Sequence, residues 1–149
     1  MAVVLGCELP DELLYDVENN MWYLENDDGT LTVGMTSVAV GMAGPLVAVT
    51  PKKVGRKVKP GKSCATIESG KWVGPAKLAR GGEVVEINEA LVAAPTLANE
   101  DPYSQGWLLK VRPDEWAGVK PQLITGGAIA AAYEAKMQAD DFAGCEAAA

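Results

Sequence analysis

The chain has 149 residues, of which 48% are hydrophobic and 22% are charged. This composition is typical of a single globular domain, here residues 1–149, and excludes a wholly disordered chain. A formal net charge of −7 disfavours nucleic acid and anionic membranes as partners, and the lack of histidine excludes Ser-His or Cys-His nucleophiles and His-based metal sites.

Residues 1–20 are predicted to form an N-terminal extension. Pro10 is followed by two acidic residues, which suits the first turn of a short helix or a single helical turn, because proline fixes φ and carboxylates favour the positive end of a helix. The start of the chain lacks the basic residues of a signal peptide, and no stretch reaches the ~18 apolar residues of a membrane span. We therefore expect a soluble cytoplasmic protein.

A hairpin followed by a helix is predicted next. Residues 21–25 and 30–35 read as strands, and the Asp-Gly pair between them is a strong hairpin signal. Thr36 offers a helix cap and Gly44 a helix end, so a short helix is expected between them.

The segment from Lys52 to Lys62 is rich in basic residues. No Lys or Arg precedes Lys52, and no acidic residue follows the run before Glu68. The pattern predicts a loop and a short strand whose charges are solvated. The alternative is that the run steers the protein onto partner enzymes by electrostatic attraction.

A second hairpin is predicted around Lys71. Small or apolar Ala65 and Ile67 alternate with polar residues, as in a half-buried strand, and Ser69 and Gly70 supply turn chemistry directly before the lysine. Lys71 is therefore expected at the tip of the hairpin. Its ammonium there is either a solvated charge or a functional group.

Further short strands are expected at residues 83–87 and 106–111, with helical turns at 88–92 and 95–98 between them. Many short strands broken by Gly and Pro indicate a mainly β sandwich or flattened barrel with short helices. Residues 121–149 are predicted to form a C-terminal helix and tail.

The C-terminal helix is predicted over the alanine-rich residues 128–140. Ile129, Tyr133 and Met137 recur at helical spacing, so we expect this face of the helix to lie against the sandwich. The last residues, from Gly144 onward, are expected to fray.

The three cysteines are too few and too scattered for a disulfide framework, and they lack metal-ligand spacing. Cys64 lies within a predicted strand and is expected to be a small packing residue. Cys7 and Cys145 lie in terminal segments that are expected to be mobile.

Four segments match one family pattern in order along the chain. Residues 68–71 read Glu-Ser-Gly-Lys, residues 32–36 Thr-Val-Gly-Met-Thr, residues 81–88 Gly-Gly-Glu-Val-Val-Glu-Ile-Asn, and residues 99–108 Asn-Glu-Asp-Pro-Tyr-Ser-Gln-Gly-Trp-Leu. In these segments the chain resembles the lipoyl-carrier H-proteins of the glycine cleavage system, whose modified lysine follows a Glu-Ser-x-Lys run. The matches cover most of the chain.

The resemblance implies a fold of two small antiparallel sheets packed face to face, as in lipoyl and biotinyl domains. It also implies that lipoate is amide-linked to Lys71 and presents a dithiolane on a flexible arm, while the partner enzymes perform the catalysis. Glu68 and Ser69 would help the lipoate-attaching enzyme to recognise the hairpin. Gly70 would let the turn form, and Trp72 would contact partners or the cofactor. The residues equally allow an ion pair at Glu68 and a packing role for Trp72.

Cys7 and Cys145 gain a possible role from the same resemblance. A thiol in a mobile terminus could exchange with the dithiolane. The alternative is that both are ordinary cytosolic thiols.

Several positions depart from the family pattern near the modified lysine. Asn20 stands where H-proteins typically carry a histidine two residues before the early Trp22, Pro45 stands in place of an aspartate, and Trp72 in place of an alanine. With these departures the chain resembles the H-protein-like lipoate-binding proteins of the heterodisulfide-reductase-like sulfur-oxidation pathway. We therefore expect a sulfur-containing cargo. The alternatives are the aminomethyl cargo of glycine cleavage and an unlipoylated binding module.

The expected partners follow from these interpretations. They are a lipoate-attaching enzyme and either a heterodisulfide-reductase-like complex or the glycine cleavage P, T and L proteins. The carrier is expected to act as a monomer, without metal, nucleic-acid or membrane partners.

Overall fold

The computed structural model describes residues 1–114 and 123–145, which form antiparallel sheets with short helices. The strands are β1 Ala2–Val4, β2 Cys7–Leu9, β3 Leu14–Asp16, β4 Met21–Glu25, β5 Leu31–Met35, β6 Leu46–Pro51, β7 Lys57–Val58, β8 Ser63–Ser69, β9 Val73–Lys77, β10 Gly82–Ile87 and β11 Leu109–Pro113. The helices are α1 Ser37–Ala43, α2 Glu89–Ala93, α3 Leu97–Glu100 and, after a 3-10 turn at Gly126–Ala128, α4 Ile129–Ala139. The mainly β class with short helices and a C-terminal helix is confirmed.

Two sheets build the body of the domain. The larger has the strand order β3-β4-β5-β11-β10-β7, and the smaller has the order β6-β8-β9. Tyr23 and Val33 of the larger sheet share one buried apolar cluster with Val49 and Ile67 of the smaller. This arrangement matches the expected pair of sheets. A third sheet, the two-stranded β1-β2 hairpin, was not predicted because strands of three residues carry too short an alternation.

Strands β1 to β3 form in the N-terminal segment, so the short helix predicted after Pro10 is wrong. The alternative, a single turn, is present, and in it the N–H of Leu13 donates to the carbonyl of Pro10 at 3.5 Å. Residues 11–12 form a turn, and β3 then pairs with β4 at the edge of the larger sheet. On its other side, the main chain of Tyr15 exchanges two hydrogen bonds with Ile124, at 2.8 and 2.9 Å. Strand pairing on both sides satisfies more of the main chain than a short helix, which is costly to nucleate.

The C-terminal helix α4 has the predicted buried face. Ile129, Tyr133 and Met137 are all fully buried. They do not pack on the cluster between the two main sheets. Instead they form a second cluster with the N-terminal strands, α1 and the indole of Trp22. The other buried members of this second cluster are Val4, Cys7, Leu9, Leu13, Tyr15 and Val38. The helix therefore fastens the N-terminal hairpin to the domain.

A disulfide joins Cys7 in β2 to Cys145, which follows α4, across a sequence separation of 138 residues. The expectation of separate thiols in mobile termini is wrong, because both ends of the described chain pack against the second cluster. The N–H of Cys145 donates to the carbonyl of Leu5 at 3.0 Å. Cys64 is buried and unbonded, as predicted.

The remainder of the predicted frayed tail, residues 146–149, lies outside the described residues. In residues 1–114 and 123–145, no helix is long and apolar enough to cross a membrane.

Candidate functional site

Lys71 lies at the tip of the β8-β9 hairpin, as the sequence predicted. The last register pair of the two strands is Glu68 with Val73. Ser69 closes the turn, because its N–H donates to the carbonyl of Trp72 at 2.8 Å and its Oγ accepts from the N–H of Lys71 at 3.4 Å. Ser69, the last residue of β8, is buried, while Lys71 is exposed.

Gly70 is less important to this turn than expected. Its φ is not among the positive values that favour glycine, and a Cβ atom at this position would meet no heavy atom within 4 Å. The turn therefore does not depend on glycine at position 70.

Glu68 and Trp72 flank the turn in different ways. Glu68 is exposed, and within the described residues its carboxylate forms no ion pair. Trp72 remains 44% exposed. One edge of its indole packs over Gly74, where a Cβ atom would come within 2.2 Å of the ring. Trp72 thus has a packing role and still presents an aromatic surface beside Lys71.

A cavity of about 540 Å³, here called the lysine groove, opens beside Lys71. Its walls come from both main sheets and from α1. Three methionines, which are flexible apolar side chains, supply much of the lining. The lining residues are Glu18, Asn19, Asn20, Met21, Met35, Ala39, Val40, Met42, Ala43, Leu46, Ile67, Lys71, Trp72, Pro75, Ala76 and Lys77. The groove can therefore shelter a long apolar group attached at its rim.

Helix α1 ends directly beneath the lysine side chain. The helix begins at the cap Thr36, whose Oγ accepts from the N–H of Ala39 at 3.2 Å, and ends at Gly44 with φ 82°. A Cβ atom on Gly44 would lie 3.4 Å from Cε and 3.9 Å from Nζ of Lys71. Lys71 therefore lies against the end of α1, and glycine serves both the left-handed conformation and this close approach.

Asn99 holds this end of α1 in place. Its Nδ2 donates to the carbonyl of Gly44 at 2.9 Å, and its Oδ1 accepts from the N–H of Leu46 at 2.9 Å. In the sequence, Asn99 stands out only as the first position of the late signature. No local pattern could show that its amide reaches across 55 residues to the site.

Asn20, a polar residue of the groove wall, has a buried side-chain oxygen without a hydrogen-bond partner among the described residues. Its φ is 56°, a left-handed conformation that asparagine tolerates better than most residues. The carbonyl of Asn20 accepts from the N–H of Thr36 at 3.1 Å. Its side-chain Oδ1 is buried and has no hydrogen-bond partner among the described residues. A buried acceptor of this kind suits a ligand that brings a donor into the groove.

These features fit a lipoyl group. An amine for the amide bond is exposed at the rim, and a largely apolar groove lies next to it, with Asn20 in its wall. The site thus supplies an acceptor for the covalent bond and a cavity next to it.

The other family segments serve the fold around the site. Trp22 is fully buried, and its Nε1–H is shared between the carbonyls of Met35 at 3.1 Å and Pro102 at 3.0 Å. The hydroxyl of Tyr103 donates to the carbonyl of Glu8 at 2.6 Å, and burial raises the pKa of Tyr103 to about 12. The late signature thus binds the first hairpin and α1 together.

The basic segment from Lys52 to Lys62 is largely exposed and contains the short strand β7, as predicted. Electrostatic steering by these residues stays a prediction.

The chain is similar to a known protein family, to several of its members and to a solved structure. A family described as Glycine cleavage H-protein matches residues 13–136. Glycine cleavage system H protein 5 of Aquifex aeolicus is 53% identical over 83% of this chain and 86% of that protein. Probable glycine cleavage system H protein 2 of Sulfurisphaera tokodaii is 43% identical over 86% of this chain and 87% of that protein. The crystal structure of a glycine cleavage system H protein from Mycobacterium marinum superposes with a TM-score of 0.70 at 31% identity, covering 89% of this chain and 99% of the other.

Proposed function

The chain belongs to the glycine cleavage H-protein family, whose members carry lipoate on a lysine, and we propose that Lys71 is the lysine that carries it here. The observation behind this assignment is the position of Lys71 at a hairpin tip that opens onto the lysine groove. Lys77 also lines the groove but lies within β9. Its position in a strand makes it a poorer acceptor for an enzyme that must enclose the amine.

The residues around Lys71 have separate tasks in this proposal. Ser69 holds the turn that presents the amine, and exposed Glu68 is available to the lipoate-attaching enzyme. Met35 and Met42 exclude water from a group lodged in the groove, and Asn20 Oδ1 accepts a hydrogen bond from it. When bound, lipoate supplies a dithiolane that carries electrons and a transferable group.

We propose an aminomethyl group as the cargo, exchanged with the glycine cleavage P, T and L proteins. The names of the relatives support this assignment. In this role the protein is a carrier without catalysis of its own, acting as a monomer in the cytoplasm.

A sulfur-containing cargo is the second candidate, and it would require a heterodisulfide-reductase-like partner. Two observations favour it. Asn20 occupies the groove wall at the position where the family pattern has a histidine. Three relatives in Aquifex aeolicus are named glycine cleavage system H protein 5, 2 and 3, so that organism has several proteins of this type.

Mass spectrometry of the protein from its native host tests both the site and the cargo. A lipoyl mass on the Lys71 peptide supports the carrier assignment. A derivative formed with glycine and its decarboxylase indicates an aminomethyl cargo, whereas additional sulfur on the arm indicates the second candidate. Lys71→Arg should prevent the modification, and Lys77→Arg, the matched groove variant, should retain it. If Lys71 is unmodified in cells whose other lipoyl domains carry lipoate, the carrier function is excluded, and the unlipoylated binding module is the remaining hypothesis.

A further inference from the structure

The Cys7–Cys145 disulfide borders a second cavity, of about 460 Å³, here called the disulfide groove. Both grooves are lined by residues of α1, and Val40 lines both of them. Ala39, Met42 and Ala43 line the lysine groove, whereas Gly41 and Gly44 line the disulfide groove. Other residues of its lining include Glu8, Ser37, Asp101, Tyr103 and Cys145.

The two sulfurs of the disulfide differ in access. Cys7 is fully buried in the second cluster. Cys145 is half-buried and lines the disulfide groove, with Sγ 3.5 Å from the carbonyl oxygen of Ser37. A thiolate entering the groove would therefore meet Cys145 Sγ first.

Lys71 lies at the boundary between the two grooves. Its Nζ is 3.9 Å from the Cβ position of Gly44, and Cys145 Sγ is 3.4 Å from the Cβ position of Gly41. Gly44 follows the last turn of α1, since its N–H donates to the carbonyl of Val40 at 3.0 Å. The Cβ positions of Gly41 and Gly44 are therefore separated by roughly one helical turn, and Nζ and Sγ by at most on the order of 15 Å.

This separation is within the reach of the arm. A lipoyl group extends on the order of 10 Å beyond the lysine nitrogen, given bonds of about 1.5 Å. The side chain of Lys71 is itself exposed and can change rotamer. The sulfurs of an arm on Lys71 can therefore leave the lysine groove, pass the end of α1 and reach Cys145.

We propose that the Cys7–Cys145 disulfide is an intramolecular oxidant for the reduced arm on Lys71. The inference rests on the proposed lipoylation of Lys71. It gives the carrier a second redox site, a protein disulfide that can take one electron pair from its own arm and become two thiols. Disulfides in a cytosolic protein are usually transient and redox-active, which agrees with such a role.

The exchange balances within one molecule. One arm thiol loses its proton to water, and its sulfur bonds to Cys145 Sγ while the Cys7–Cys145 bond breaks and Cys7 takes up a proton. The second arm thiol then loses its proton, its sulfur bonds to the first arm sulfur, and Cys145 leaves and is protonated. The arm is oxidised to the dithiolane, and the disulfide is reduced to two thiols.

The test begins with the full-length chain, lipoylated by a lipoate–protein ligase and checked by intact mass. NADH and a catalytic amount of dihydrolipoyl dehydrogenase then reduce the arm. After denaturation in N-ethylmaleimide, peptide mass spectrometry measures the alkylation of Cys7 and Cys145. Cys64, which is unbonded, should be alkylated in every sample and serves as the internal reference.

Lys71→Arg is the matched control, because it keeps the disulfide and cannot carry the arm. We expect alkylation of Cys7 and Cys145 at least tenfold faster in the lipoylated wild type than in Lys71→Arg. In a mixture of lipoylated Cys7→Ser/Cys145→Ser protein with Lys71→Arg protein, the Lys71→Arg disulfide should stay intact, because the arm and the disulfide are then on different molecules.

Each contrary result has its own meaning. A lipoylated and reduced arm beside an intact wild-type disulfide overturns this inference and leaves the proposed function standing. Equal reduction of the Lys71→Arg disulfide, alone or in the mixture, also overturns it. A lack of lipoyl mass on Lys71 overturns both the inference and the proposed function.

Discussion

The side-chain amide of Asn99 donates to the carbonyl of Gly44 at 2.9 Å, across 55 residues of sequence. The side-chain Oδ1 of Asn99 accepts from the N–H of Leu46 at 2.9 Å, so this one side chain bonds the main chain on both sides of the Gly44-Pro45 corner. The side chain of Lys71 lies against this corner. Gly44 and Pro45 line the disulfide groove, and the flanking Ala43 and Leu46 line the lysine groove. The late signature therefore acts on the site by holding the end of α1.

Asn99→Ala should lower the free energy of unfolding by about 2–3 kcal/mol. The substitution leaves a partly buried carbonyl at Gly44 and an N–H at Leu46 without their partners. Urea denaturation measures the loss. Gln105→Ala, in the same signature but with an exposed side chain, should change stability by less than about 0.5 kcal/mol. Equal stability of the two variants would contradict the role given to Asn99.

Acylation of Lys71 should shift the protein to a lower isoelectric point. The modification removes one positive charge, so the formal net charge changes from −7 to −8. Isoelectric focusing before and after treatment with a lipoate–protein ligase should show one new acidic band. Lys71→Arg should show no new band, and because its side chain is exposed, its urea midpoint should equal that of the wild type.

Gly34→Ala should destabilise the protein by about 2 kcal/mol or more. A Cβ atom at position 34 would lie 2.4 Å from the buried indole of Trp22, which two hydrogen bonds hold in place. Gly70→Ala is the comparison, since a Cβ atom there meets nothing within 4 Å, and it should be nearly neutral. Denaturation curves of both variants measure the difference, and a destabilised Gly70→Ala would show that the turn needs glycine after all.

Reduction of the Cys7–Cys145 disulfide should lower the free energy of unfolding by about 2–5 kcal/mol, because it releases a loop that spans nearly the whole chain. Thermal melts with and without dithiothreitol measure this loss. In Cys7→Ser the reductant should have no effect. If the melting temperature of the wild type is the same with and without dithiothreitol, the disulfide does not stabilise the protein.

Stability should fall as the pH rises between about 9 and 12. Burial raises the pKa of the Cys64 thiol from 9.0 to about 12, so in this window the unfolded chain loses a proton that the folded chain keeps. Fewer protons bound to the unfolded state mean that stability decreases with pH, and the Cys64 thiol alone contributes up to about 1.4 kcal/mol per pH unit. Burial also raises the pKa of the hydroxyls of Tyr15, Tyr23 and Tyr133, which adds to the decrease.

Cys64→Ala checks the alkaline prediction. Burial also raises the pKa of Tyr103 from 10.0 to about 12, so some decline should persist in this variant. The slope of urea midpoint against pH should nevertheless be smaller than in the wild type. Parallel slopes would show that the Cys64 thiol does not contribute.

Local patterns were sufficient for much of the fold. The spacing of Ile129, Tyr133 and Met137 predicted the buried face of α4, and Ser69-Gly70 predicted the turn before Lys71. These signals succeed because helix and turn geometry relate residues that are close in sequence. The short helix predicted after Pro10 does not form beyond a single turn, because pairing of Tyr15 with Trp22 and Ile124 overrode local preference.

The sequence by itself thus determined the family, the sandwich and the exposed tip that carries Lys71, since these depend on periodicity, turn chemistry and motif order. Only the tertiary structure decided that Cys7 is bonded to Cys145, that Asn99 holds Gly44, and that Lys71 stands between two grooves. The reason is physical: these contacts form when the packing of α4, the N-terminal hairpin and the two sheets brings distant segments together, and no pattern within one segment records which distant segment it will meet.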